Sequence, residues 1–135
     1  LRSKEFVTKK IIDVSKRILK NKNIKLELGN VNIYRDWGWA PEYVEAIWLM
    51  LQLKKPCDLI IGSGKIFSLK DFVKEVFKIL KISEKNLKTN VKKFKRKLDI
   101  RGYKADIRLT RKILKWQPKI EFKKIVYKMV RNELF

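Results

Sequence analysis

Histidine is absent from this 135-residue chain, and cysteine occurs once, at position 57. That inventory excludes a disulfide framework and a Cys/His metal cluster, and a reducing cytoplasm is the expected compartment. Proline (3) and glycine (5) are scarce. With no low-complexity linker and no internal repeat, the chain reads as a single unit, 1–135. No apolar run approaches the roughly 18 residues that a membrane span requires; the longest, from Ile47 to Leu51, is far too short. No signal-peptide pattern opens the chain, and it starts at Leu1 rather than Met, as expected of a gene fragment.

Acidic residues are also few, 14 against 35 basic ones, for a net charge of +21. Such an excess ordinarily points towards nucleic acid or an anionic membrane surface. The choice of cation weakens that inference. Of the basic residues 27 are Lys and 8 are Arg, while Ile occurs 16 times and Ala 3 times, a bias that A/T-rich codon usage produces. Proteins that read bases lean on arginine, whose planar fork pairs bidentately with guanine or phosphate. Nucleic-acid binding therefore ranks as a second alternative.

Hydrophobic periodicity gives the element order. Val7, Ile11, Val14 and Ile18 repeat at helical spacing, predicting a helix over about 5–20. A short strand from Ile24 to Leu28 follows, closed by Gly29-Asn30, with Arg35 expected in a loop. Pro41 suits the start of a helix to about Leu53 that is apolar nearly all round, so both its faces should be covered in a complete fold. Cys57 to Ile61 reads as a buried strand with Cys57 an inert thiol. Ser68 can cap a helix carrying Leu69, Phe72, Val73, Val76, Phe77 and Leu80. Residues 83–101 read as lysine-rich loop with a short strand near 91–94, and helices over about 109–114 and 122–134 complete the chain.

Motif tests are mostly negative. Gly62-Ser63-Gly64-Lys65 lies between an expected strand and helix, but a phosphate loop needs Gly at 59 and Ser or Thr at 66, where Leu59 and Ile66 stand. Phe67 breaks the dinucleotide pattern G-x-G-x-x-G, which leaves a turn leading into a capped helix. A reductase Tyr-x-x-x-Lys acid/base pair is missing too, since Gly38, Ile47, Ile107 and Arg131 follow the four tyrosines at that spacing. Trp37, Trp39 and Trp48 offer a stacking platform for bases, yet Trp48 amid Leu and Met and Trp37 after a strand end read as core positions.

Residues 28–51, L-G-N-V-N-I-Y-R-D-W-G-W-A-P-E-Y-V-E-A-I-W-L-M-L, are hard to explain by packing alone, because two tryptophans bracket a glycine directly after an Arg-Asp pair. The stretch closely resembles the Leu-Gly-Asn … Arg-Asp-Trp-Gly-x-Ala-x-x-Tyr-Val-Glu-Ala-x-Trp-Leu-Met-Leu segment of GDP-mannose 4,6-dehydratases, which are extended short-chain dehydrogenase/reductases. Arg2, Glu5-Phe6-Val7-Thr8 and Lys10-Ile11 resemble the same family's Arg-Gly-Glu-x-Phe-Val-Thr-Arg-Lys-Ile segment. Asp106 to Pro118 is similar to the Asp-x-Ser-Lys-Ala … Leu-Gly-Trp-x-Pro tail of nucleotide-sugar epimerases and dehydratases generally.

The resemblance implies an α/β fold, mostly helical with a few short strands: the C-terminal substrate-binding portion of an extended short-chain dehydrogenase/reductase with its Rossmann half missing. It implies Val7, Lys10 and Arg35 as contacts of the GDP part of GDP-mannose or a related GDP-sugar, and Arg2 as a contact of NADP. Phe94-Lys-Arg96-Lys-Leu-Asp99 stands where the family has Phe-Arg-Pro-Thr-Glu. That adds Arg96 for diphosphate and Asp99 for ribose, with Arg101 competing for the first role. In the whole enzyme NADP oxidises C4 of the mannose, water is eliminated across C5 and C6, and hydride returns to C6. The expectation for this portion is no catalytic residue, no metal, no cofactor bound to it alone, no membrane, and either self-association or pairing with a Rossmann half. Another nucleotide-sugar specificity is the first alternative.

Overall fold

The computed structural model describes residues 6–94 and 102–133. Helix α1 (Val7–Lys20) forms as its spacing predicts, with Ile11, Ile12, Ser15 and Ile18 buried. After it come β1 (Leu26–Glu27), β2 (Tyr34–Asp36), α2 (Ala40–Leu51), β3 (Ile66–Ser68), α3 (Leu69–Leu80), β4 (Leu87–Lys88), α4 (Arg108–Leu114) and α5 (Phe122–Arg131). The described residues are thus mostly helical with a few short strands. β1 pairs in parallel with β4, placing Leu26 opposite Leu87, and β2 pairs antiparallel with β3, placing Arg35 opposite Phe67.

Helix α3 is the centre of the fold, packed against α1 on one side and α5 on the other. Its start is fixed by a capping box. The Ser68 hydroxyl accepts from the Asp71 amide at 3.0 Å, and the Ser68 amide donates back to the Asp71 carboxylate at 2.8 Å, so two otherwise orphaned amides are satisfied. Its inner stripe, Phe72, Val73, Val76 and Phe77, is buried together with Ile11, Ile18, Leu26, Val126 and Val130. An aromatic layer joins the β2–β3 pair to this core: Trp37 stacks on Phe72 at 5.0 Å, and Phe67 on Phe122 at 4.2 Å. Rings in such arrangements stabilise by about 0.5–1.5 kcal/mol beyond their buried area.

Several expectations are corrected. Arg35 lies in a strand rather than a loop, because its ladder partner is supplied by residues 66–68, far along the chain. No strand forms at 57–61; Cys57 is exposed, and no described neighbour offers that segment a ladder. Trp48, expected in the core, is 58% exposed. It stands on the outer face of α2, whose buried residue is Ala46. The strand expected near 91–94 is instead β4 at Leu87–Lys88, followed by a 3-10 turn at Lys92–Phe94.

Candidate functional site

The Arg35 motif is mostly scaffold. The Asp36 carboxylate accepts from the amides of Ser63 at 2.7 Å and Gly64 at 2.9 Å, and from the Tyr43 hydroxyl at 3.4 Å. The glycine turn at 62–64 therefore binds a carboxylate of its own chain with the amides that a phosphate loop would use. Burial first, and the Asp36 carboxylate second, push the Tyr43 phenol well above its usual range. Trp37 Nε1 donates to the Phe67 carbonyl at 2.9 Å. Gly38 leaves room for the Tyr43 ring, since a Cβ at position 38 would collide with it. Glu42 Oε1 accepts from the amides of Lys119 and Ile120 at 2.7 and 3.1 Å, clamping α2 to the segment before α5. Folding contacts thus account for Asp36, Trp37, Gly38, Glu42 and Tyr43, and of the order that is hard to explain by packing alone they leave Arg35.

Arg35 differs from these neighbours. Its Nη1 donates to the Tyr34 carbonyl at 2.6 Å, and its guanidinium carbon lies 6.0 Å from the centre of the Tyr103 ring. Lys10, half-buried on α1, donates from Nζ to the Glu27 carbonyl at 3.0 Å and sits 3.7 Å from the centre of the Phe94 ring. Val7 stands partly exposed at the start of α1. Phe94 is tied in turn to Leu28, the residue after β1, through Phe94 N to Val91 O and Val91 N to Leu28 O. Lys10 therefore stands beside the last described residue before the 95–101 segment, and Arg35 beside the first residues after it. Arg2, Arg96, Asp99 and the competing Arg101 lie outside the described residues. Tyr103 was not foreseen, because an aromatic following Gly102 carries no motif; its proximity to Arg35 exists only in three dimensions.

Among the described residues no group of three or more His, Cys, Asp or Glu side chains could hold a metal ion. A depression of about 460 Å³, lined by Asp58, Ile60, Asp106, Arg108, Leu109 and Lys112, includes none of the candidate residues. Two of its charges are paired with each other: Arg108 donates twice from Nε and once from Nη2 to Asp106, at 2.6–3.1 Å. Those bonds lower the pKa of the exposed Asp106 carboxyl to about 2.

This architecture is that of the solved extended short-chain dehydrogenase/reductases. A dTDP-glucose 4,6-dehydratase of Bacillus anthracis in complex with NAD superposes with a TM-score of 0.81 at 18% identity, over 96% of this chain and 39% of that one. RMD of Pseudomonas aeruginosa, complexed with NADPH, gives 0.82 at 13%, over 98% and 44%. At those identities the likeness shows the fold alone. Sequence narrows it: the family model for GDP-mannose 4,6 dehydratase matches residues 1–129. GDP-mannose 4,6 dehydratase 1 of Arabidopsis thaliana is 36% identical over 98% of the chain, and the human GDP-mannose 4,6 dehydratase is 31% identical over the same share. The chain belongs to the GDP-mannose 4,6 dehydratase family. It spans 37% and 40% of the length of those two relatives.

Proposed function

We propose that this chain is the substrate-holding portion of a GDP-mannose 4,6-dehydratase, and that it grips the GDP part of the nucleotide sugar while the chemistry is housed elsewhere. The observation that carries the reading is Arg35. Next to an Asp36 whose carboxylate is spent on the 62–64 turn, it holds a half-buried guanidinium on a strand fixed by its pairing with β3, close to the Tyr103 ring. A guanidinium offers parallel donors matched to phosphate oxygens. Lys10 adds a second cation and Val7 an apolar edge, while Arg96 and Asp99, outside the described residues, are the ones the family resemblance assigns to diphosphate and ribose. Arg2 is the residue assigned to NADP, which supplies hydride transfer in the whole enzyme. The role of this portion is to fix the sugar's position relative to that chemistry, which lowers the entropic part of the barrier.

Two measurements test the reading. The isolated chain should give no NADP-dependent conversion of GDP-mannose, and turnover above background would refute it. In titration calorimetry GDP should bind better than ADP, and Arg35→Ala should weaken GDP roughly tenfold or more, as loss of a charge-assisted hydrogen bond of about 1.5–3 kcal/mol requires. Equal affinity in wild type and variant removes Arg35 from the site.

The same reading covers partners. Val44, Ile47, Trp48 and Leu51 recur at i, i+3, i+4 and i+7, forming one stripe of α2, and all four are exposed. We assign this stripe as the docking face for a cofactor-binding portion or for a second copy of the chain.

A further inference from the structure

We infer that Tyr103 is a positioning residue for Arg35: its ring and the Tyr34 carbonyl together orient the guanidinium towards nucleotide phosphate. The inference rests on the proposed GDP-holding role of Arg35 and deepens it. Three observations converge. The Tyr34 carbonyl accepts from Arg35 Nη1 at 2.6 Å, which fixes one edge of the fork. The Tyr103 ring centre lies 6.0 Å from the guanidinium carbon, at the outer limit of a cation–aromatic contact. Tyr103 is 64% exposed, so burial does not account for where its ring stands.

Gly102 makes the approach feasible. A Cβ there would lie 2.7 Å from Tyr34 Cβ and 2.9 Å from the Tyr34 carbonyl oxygen, the atom that Arg35 uses. With only hydrogen at position 102, the backbone closes on Tyr34 without crowding that oxygen, and the next residue is delivered to Arg35. The physical consequence concerns entropy. A free arginine has many rotamers to lose when it binds phosphate, and one already steered by a carbonyl and a ring loses fewer. Tyr103 is thereby expected to act through Arg35 and not as an independent nucleotide contact.

The test is a double-mutant cycle on the whole chain, with GDP as the probe at low ionic strength. Tyr103→Ala should weaken GDP roughly two- to fivefold, the size of an exposed cation–aromatic contact, and Tyr103→Phe should restore wild-type affinity. In the Arg35→Ala background Tyr103→Ala should have no further effect. Circular dichroism should be identical for all variants, because Tyr103 is a surface residue. Without nucleotide, the Arg35 Nε–H proton resonance should show a ring-current displacement that persists in Tyr103→Phe and disappears in Tyr103→Ala. Wild-type affinity in Tyr103→Ala, a full additional loss in the double variant, or no ring-current displacement overturns the positioning role, while a weakened Arg35→Ala still upholds the site. If Arg35→Ala binds like wild type, or wild type does not bind GDP, the underlying reading fails and the inference with it.

Discussion

Arg35 and Asp36 are neighbours in sequence with opposite duties. Asp36 turns inward and satisfies two backbone amides of the 62–64 turn, whereas Arg35 holds its guanidinium near Tyr103 at the surface. Asp36→Ala would leave the amides of Ser63 and Gly64 without their acceptor, at a cost of about 1–3 kcal/mol for an unsatisfied, partly buried donor. Asp36→Asn keeps one acceptor oxygen and should recover part of that loss. Denaturant midpoints of the three proteins check this, and an unchanged midpoint in Asp36→Ala would show that water replaces the carboxylate freely. Gly38→Ala meets a harder obstacle, since its Cβ would overlap the Tyr43 hydroxyl and ring. The ring would have to leave both Asp36 and its edge-on contact with Trp116 at 6.3 Å, and a stability loss of about 1–3 kcal/mol is expected. A wild-type melting curve for Gly38→Ala would mean that the ring has an alternative seat.

Among the elements, α3 has the most to lose at its start. Ser68→Ala removes both the acceptor for the Asp71 amide and the hydroxyl that donates to the Asp71 carboxylate at 2.7 Å, so a loss of about 0.5–2 kcal/mol is expected; Ser68→Thr should retain most of it. The β2–α2 junction carries a pH signature. The folded phenol of Tyr43 is raised above its usual 10.0, so its contribution is complete below about pH 10 and is lost as pH rises beyond it towards the folded value. Denaturant midpoints measured from pH 8 to 11 should fall more steeply in wild type than in Tyr43→Phe, and parallel profiles would dissociate Tyr43 from alkaline unfolding. Helices such as α1, α3 and α5 were legible in the sequence because their signal is local: apolar residues at helical spacing and, for α3, Ser68 ahead of Asp71. The β2–β3 pair was not legible, since Tyr34 finds Ser68 only after α2 and the glycine turn intervene. Residues 57–61 show the converse, an apolar run whose composition says strand but which has no ladder partner among the described residues. Of the site, Arg35 and Lys10 were visible through family resemblance alone. Tyr103, which no pattern marks, emerged from contact geometry.

For the molecule as a whole, an apolar stripe is set against a large charge. Along α2 the stripe runs from Val44 (63% exposed) to Leu51 (76%), with Ile60 nearby in the chain also exposed. Exposed apolar area of this kind usually finds a partner. Against association stands the net charge of +21, which makes two copies repel one another at long range. The balance should depend on salt, because repulsion between exposed charges is screened over about 10 Å at 0.1 M and about 3 Å at 1 M, whereas apolar contact is not. Self-association through α2 is therefore expected to strengthen as salt rises, the reverse of the response of a charge-driven assembly. Light scattering across a concentration series at low and high salt reads this directly. Leu51→Lys, which places a cation at the most exposed point of the stripe, should return the chain to monomer and reduce binding of a surface-apolar dye. If wild type stays a monodisperse monomer at both salts and binds no dye, the stripe is not a docking face. The proposal that α2 joins this portion to a partner would then have to be abandoned, while the assignment of Arg35, on the β2–β3 pair, would stand.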